Sequence, residues 1–381
     1  MKWEMKTLGD VSINIQTGPF GSQLHQSDYS NDGIPVVMPK DLIDGKISEK
    51  SIARVSQEHA NRLCKHKIVA SDILYSRRGD VGRCAFTTER ENGWICGTGC
   101  LKVTINPEKA NPRFVFFQLQ KAKTIGWVIN HAVGATMLNL NTSILASVPI
   151  ELPDMNTQNK IVNILSAYDD LIENNQKQIR LLEEAAQRLY KDWFVDFHFP
   201  GHENVKVVDG VPEGWKKAAL ACISPIVTGK KDANFGSPDG NYPFFTCAQE
   251  PIKAPSYSFD CDAVILAGNG DFNVKLYRGK FEAYQRTYVF SPYDAKHLYL
   301  LYFSVKENMR NLFLGASGST IKFLTKRMLE EIMVFIPSRE ILKSFVEYCE
   351  LYQRKIEILK EQINDLQEAR DRLLPRLMGK Q

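Results

Sequence analysis

Between residues 161 and 193 the apolar positions recur in alternating steps of four and three. Ile161, Leu165, Tyr168, Ile172, Ile179, Leu182, Leu189 and Trp193 fall on this series, with Asn175 and Ala186 at its other positions. A second run, offset by 184 residues, places Phe345, Cys349, Tyr352, Ile356, Leu359, Ile363, Leu366, Leu373 and Leu377 on the same series, and only Arg370 breaks it. An apolar seam of 3.5-residue period winds two helices around each other. Each run predicts a helix on the order of 50–60 Å long at 1.5 Å per residue. A seam asparagine such as Asn175 fixes register at some cost in stability. Alternatively, Asn175 and Arg370 mark places where the seam frays or a partner protein packs.

The two runs close a longer internal repeat. GATMLNLNTSILASVPIELP, from Gly134, is answered by GSTIKFLTKRMLEEIMVFIP, from Gly318, which sets Thr136 on Thr320, Leu140 on Leu324 and Pro153 on Pro337. Upstream the repeat is looser. Trp3 answers Trp215, Thr17-Gly18 answers Thr228-Gly229, and SDILYSRRGD (Ser71–Asp80) answers DAVILAGNGD (Asp262–Asp271). The second variable region is 28 residues shorter than the first. Asn111-Pro112 and Ser291-Pro292 read as N-cap and first-turn positions of helices. Short β-rich runs such as IPVVM and CLKVTI accompany them, so the expected fold class is α+β. The order is a globular domain (residues 1–152), a long helix (153–199), a second globular domain (200–336) and a second long helix (337–381). Two long helices separated by a domain pair most simply as antiparallel partners, which predicts an internal pseudo-twofold repeat. Leu189–Val205 is rich in aromatics. Its Pro200-Gly201 pair is expected to end the first helix, and its rings to pack at a hinge, in the local core, or against another protein.

Composition narrows the class without naming a chemistry. No apolar run among the 381 residues approaches the length of a membrane span. MKWEMKTLGDVSI lacks the apolar stretch of a signal peptide, so a cytoplasmic protein without membrane contact is expected. The eight cysteines include no CxxC pair. Cys96 and Cys100 with His66 form a conceivable metal set, but reduced core cysteines are the simpler reading, and no metal site is expected. Residues 1–150 carry 18 basic against 13 acidic side chains, whereas 151–199 carry 5 against 9. The variable regions are therefore basic and the first long helix acidic, a mild nucleic-acid signature. Phosphate-cradle, dinucleotide, zinc-protease and serine-hydrolase motifs are absent, as is the Asn-Pro-Pro-aromatic tetrapeptide of amino-methyltransferases. Asp169-Asp170 and Glu183-Glu184 read as solvated charge on the outer helix face.

LYKDWFVDFHFPG (Leu189–Gly201) and ARDRLLPRLMGK (Ala369–Lys380) resemble the two signature helix ends of the specificity subunit of type I restriction–modification enzymes. GIPVVMPKDLIDGKI (Gly33–Ile47), SDILYSRRGDVGR (Ser71–Arg83) and the Pro-then-helix passages at Pro153 and Pro337 belong to the same resemblance, which spans essentially the whole chain. It implies two target recognition domains joined by two long antiparallel coiled-coil helices. Each domain would read one half of an asymmetric bipartite site in double-stranded DNA. The helices would set the spacer and dock two modification (methyltransferase) subunits, which carry S-adenosylmethionine. Restriction (motor–nuclease) subunits would join through the complex. The chain itself would hold no cofactor and catalyse nothing.

Arginine suits guanine and asparagine or glutamine suits adenine in the major groove, while lysine mostly holds phosphate. On that basis the candidate DNA-binding residues are Gln23, Lys40, Arg77, Arg78 and Arg83 in the first domain. In the second they are Lys230, Lys231, Asn269, Lys275 and Arg286. Phe20 and Phe235 are read as wedges beside a flipped base or, more simply, as loop anchors. Two other classes compete: a stand-alone nuclease or methyltransferase with a cryptic site, and a coiled-coil adaptor whose heads bind proteins. Missing motifs weigh against the first, basic heads against the second.

Overall fold

The computed structural model describes residues 3–134, 136–270, 272–318 and 322–378. Thr320, Asp271, Gly379 and Lys380, which the repeat alignment and the second helix-end signature include, lie outside these residues. The chain divides into two compact units, residues 1–174 with 362–381, and residues 175–361. Both divisions fall inside the long helices Met155–Phe194 and Arg339–Leu377. Each unit therefore holds one globular domain and a stretch of both helices.

The helices start at equivalent points of the repeat. Asp154 accepts from the Thr157 amide at 3.0 Å and the Thr157 hydroxyl at 2.7 Å, satisfying a first-turn donor beside the positive helix end. Ser338, 184 residues on, accepts from the Ile341 amide. Gln158 is buried and ties the helix start to the first domain. Its side-chain oxygen accepts the Asn111 amide at 2.9 Å and its nitrogen donates to the Pro153 carbonyl at 2.8 Å.

In the first unit, Ile161, Val162 and Leu165 share a core with Leu101, Phe114 and Phe117, and with Leu373, Leu374, Leu377 and Met378. The start of the first long helix thus lies beside the end of the second, an antiparallel pairing. The Arg370 guanidinium donates to Asp169 Oδ1 at 2.9 Å, and Arg113 donates to Oδ2 at 3.3 Å. This corrects two expectations: Asp169 is not solvated outer-face charge, and Arg370 does not mark a frayed seam. One carboxylate lies between two guanidiniums, and the three side chains come from three separate helices.

In the second unit, Tyr190, Trp193 and Phe194 share a core with Leu342, Phe345 and Cys349. The Phe194 and Phe345 rings are 4.8 Å apart, and Phe199 lies 4.7 Å from Trp215. Of the three readings of the aromatic segment, local core packing is the one observed. The first helix stops at Phe194, six residues before Pro200. The stop comes from Phe197, whose φ of 61° is unusual for a bulky side chain. Ring contacts with Trp215 at 5.8 Å and Phe335 at 5.2 Å hold it there. Throughout both units the seam positions are buried or half-buried, including Ile179, Leu182, Ile363 and Leu366.

The two domains share a strand frame. In the first, Ser12–Thr17, Cys100–Ile105, Ile73–Ser76 and Cys84–Phe86 form an antiparallel sheet in that order. In the second, Ile226–Thr228, Thr287–Phe290, Phe259–Ala267 and Val274–Ala283 lead a six-stranded sheet. Thr17, Leu101 and Tyr75 stand abreast in one domain, and Thr228, Tyr288 and Leu266 in the other. Glu4–Thr7 pairs with Pro149–Leu152 in the register in which Lys216–Ala219 pairs with Met333–Ile336. Strand register is set by which face must be buried, so identical registers mean one buried framework used twice.

Asn111 caps the helix Pro112–Leu119 through the Arg113 and Phe114 amides. Ser291-Pro292 starts no helix. The Ser291 hydroxyl donates to the Asp262 carbonyl, and the helix Leu298–Gly315 begins after a turn capped by Asp294. Among the described residues, no helix is long and apolar enough to cross a membrane.

Replacing Asp169 with Ala leaves two guanidiniums facing each other, and the expected loss is about 1–3 kcal/mol. Phe345→Ala empties the centre of the second core at a cost of about 3–5 kcal/mol. Asp170→Ala, at an exposed position, is expected to be neutral. Urea midpoints for the three variants check this order.

Candidate nucleic-acid interface

In each domain the first frame strand runs into a glycine held against backbone. The Gly18 amide donates to the Cys100 carbonyl at 2.9 Å, and the Gly229 amide to the Thr287 carbonyl at 3.1 Å. A Cβ on Gly18 would sit 1.9 Å from the Gly97 carbonyl oxygen, and one on Gly229 would sit 1.9 Å from that of Ala283. Only glycine allows this approach. The loops that follow carry the basic candidates.

In the first domain the structure separates two neighbouring arginines. Arg77 is half-buried: its amide donates to the Gly99 carbonyl at 2.8 Å, and its guanidinium lies 5.7 Å from the centre of the Phe20 ring. Phe20 is 55% exposed, so the ring forms a stacking platform for the cation. Arg78 is exposed, and among the described residues no hydrogen bond or ion pair engages its guanidinium. Arg83 is tied to Asp80 at 2.6 Å. The Gln23 side-chain oxygen accepts the Phe20 amide at 3.1 Å, and Lys40 donates to the Ser51 carbonyl at 2.9 Å. Gln23 therefore shapes the loop that presents Phe20, while Lys40 braces a separate exposed loop.

In the second domain backbone bonds gather the candidates. The Gln285 amide donates to the Lys231 carbonyl at 2.9 Å, and the Gly268 amide to the Arg286 carbonyl at 2.9 Å. Lys231, Arg286 and the loop of Asn269 are thereby neighbours, with exposed Lys230 beside them. The Lys231 ammonium lies 4.3 Å from the centre of the Phe235 ring, a cation–aromatic pair like that of Arg77 and Phe20. Lys275 is set apart. It donates to the Ala248 carbonyl and to Asn273, and it lines a cavity of about 360 Å³ with Glu183, Tyr302, Lys306 and Tyr352.

Two further residues join the loop tips. Arg78 is bridged to Asn139, and Asn269 to Phe323, which follows Lys322. The Lys322 ammonium sits 3.9 Å from the centre of the Phe313 ring. Asn139 and Lys322 lie in the segment repeated at constant offset, which reads as scaffold in the sequence. Their signal was there: among repeat-aligned positions, Leu138 faces Lys322 and Asn139 faces Phe323.

Burial pushes the Cys96 thiol up to about 12 and raises that of Cys100, so neither is poised as a thiolate. The His66 imidazole, its pKa lowered by burial, bonds to the Thr17 carbonyl at 3.1 Å. No group of three His, Cys, Asp or Glu among the described residues is placed to hold a metal ion.

Residues 1–184 and 212–368 match the family model described as type I restriction modification DNA specificity domain. The chain is 38% identical over 156 residues to the type I restriction enzyme EcoDI specificity subunit of Escherichia coli, a match spanning 41% of this chain and 35% of that protein. It is 25% identical to the type I restriction enzyme MjaIX specificity subunit of Methanocaldococcus jannaschii, over 99% of this chain and 92% of that protein. Its fold is similar to the crystal structure of a type I restriction–modification system S subunit from M. genitalium, with a TM-score of 0.59. That match has 17% sequence identity and covers 100% of this chain and 97% of the other.

Gly18→Ala and Gly229→Ala each push a methyl group into a backbone carbonyl, and a destabilisation of at least about 1–3 kcal/mol is expected. Gly21→Ala meets no heavy atom within 4 Å and is expected to be neutral. Urea unfolding together with amide hydrogen exchange at residues 97–100 reads both outcomes.

Proposed function

Because this chain belongs to the family of type I restriction–modification DNA specificity subunits, we propose that each of its units reads one half of an asymmetric bipartite site in double-stranded DNA. The observation that carries this reading is the shared strand frame with unlike loop tips. One framework presents an Arg-rich turn in one unit, and lysines, an asparagine and an arginine in the other. Phosphate contacts from Lys230, Lys231 and Arg286 would position the second domain, and base contacts from the tips would specify sequence. Arg77 on its Phe20 platform and Arg83 beside Asp80 would hold backbone in the first domain. Lys275, turned toward a cavity, contributes least to this reading.

The long helices would act as the spacer and as the dock. A 40-residue helix is about 60 Å long, against ~34–36 Å for a duplex turn, so their length selects half-sites of matching separation and phase. Linking two readers in one chain also raises the effective concentration of the second for its half-site. Apolar side chains exposed on the helices, Ile164 and Leu171 in one unit and Tyr348, Leu351 and Ile358 in the other, support docking of partner subunits. Ile164 and Tyr348 are repeat equivalents, which fits two copies of one modification subunit. Those partners would bring S-adenosylmethionine and the methyl transfer, and motor–nuclease subunits would join through them. The chain itself would act in the cytoplasm and without catalysis.

Mapping methylation in the native host with and without this gene tests the proposal. Loss of one asymmetric two-part motif is the expected result, and an unchanged methylome with intact modification subunits sinks it. Spacer control has its own test. Three heptads inserted at 174/175 and at 361/362 keep the seam and add about 32 Å, close to one duplex turn. The unread spacer is then expected to grow by about ten base pairs with both half-sites unchanged.

A further inference from the structure

The loop tips of the two domains are one structure carrying different side chains. In the first, the Gly79 amide donates to the Leu138 carbonyl at 3.1 Å and the Leu140 amide to the Arg77 carbonyl at 2.8 Å. In the second, the Gly270 amide donates to the Lys322 carbonyl at 3.2 Å and the Leu324 amide to the Gly268 carbonyl at 2.8 Å. Arg78 is bridged antiparallel to Asn139, and Asn269 in the same way to Phe323. Gly79 and Gly270 turn the chain at φ of 75° and 68°, a left-handed conformation that favours glycine. The strands that lead into the tips hold the same register, Cys100 opposite Ser76 and Thr287 opposite Ala267. Arg78 and Asn269 therefore occupy one position of a common backbone frame.

We propose that this position is a reading station shared by both domains, with Arg78 specifying a guanine in one half-site and Asn269 an adenine in the other. The inference deepens the DNA-specificity reading above and rests on it. It singles out two residues from the basic candidates for three reasons. Arg78 is the exposed arginine of its pair, while Arg77 is anchored by Gly99 and Phe20. Asn269 is short and lies near the longer Lys231, Arg286 and Lys322, whose reach suits the flanking phosphates. Bidentate arginine matches the acceptor pair of guanine, and bidentate asparagine matches the donor–acceptor pair of adenine. Two frames docked alike then differ at this base position by side chain alone.

The test uses the complex with its modification subunit and selection of bound duplexes from a randomised library. Arg78→Ala is expected to relax one position of one half-site, lowering discrimination there by about tenfold to a hundredfold, with every other position kept. Asn269→Ala is expected to do the same at one position of the other half-site. Arg78→Asn should shift the preferred base at its position from guanine towards adenine. Arg77→Ala is expected to weaken all duplexes alike. If both alanine variants weaken binding uniformly with all positions still specified, the two residues are phosphate contacts and the station is refuted. It is refuted equally if both relax positions in one half-site. A wild-type complex that selects no two-part motif overturns the underlying function as well, so the two failures are told apart before any variant is made.

Discussion

A long amphipathic helix cannot hide its apolar stripe alone, and everything else in this chain follows from how the two long helices solve that problem. Each gives part of its stripe to one unit and part to the other. In the first unit Ile161 and Leu165 share a core with Leu373 and Leu377, and in the second Trp193 and Phe194 pack with Phe345. Each globular domain then seals its own stretch of the pair: Phe114 in the first unit, and Trp215 in the second, complete the cores. The helices are thus the inner wall of both domains as well as the link between them.

Three polar contacts at that wall are closely matched. Gln158 satisfies both an amide of the domain and a carbonyl of its own helix entry. Asp169 receives Arg113 from the domain and Arg370 from the opposing helix. In the second unit Arg278 reaches Glu350 at 2.6 Å. An uncompensated charge at a half-buried site costs far more than a matched pair returns. These pairs therefore fix how a domain sits on its helices more than they add to stability.

The loop frame shows the complementary economy. Backbone amides and carbonyls do the positioning at both tips, so the side chains there are free to vary without moving the turn. Gly18 and Gly229 pack against carbonyl oxygens, and Gly79 and Gly270 take the left-handed turn. A duplicated chain can in this way keep one geometry while its two copies acquire different surfaces.

Much of the architecture was legible in the residues themselves. The four–three spacing announced both helices, the constant offset announced the duplication, and Asn111-Pro112 announced a helix start. Each is a local or periodic signal, carried by neighbours in sequence. Three features escaped because their causes are distant in sequence. Asp169 looked solvated because its two partners lie 56 and 201 residues away. The first helix ends at Phe194, well short of Pro200, because rings of the second domain hold Phe197 at an unfavourable backbone angle. Ser291-Pro292 carries a cap sequence, yet its hydroxyl is taken by a neighbouring strand. The candidate interface divides the same way. Two related domains on a helical seam, with basic loops at Arg77-Arg78 and Lys230-Lys231, are written in the residues. Folding in three dimensions is what anchors Arg77 while presenting Arg78, turns Lys275 to a cavity, and brings Asn139 and Lys322 to the tips. Side-chain direction and cross-strand neighbours follow from long-range backbone pairing, which no local pattern of residues encodes.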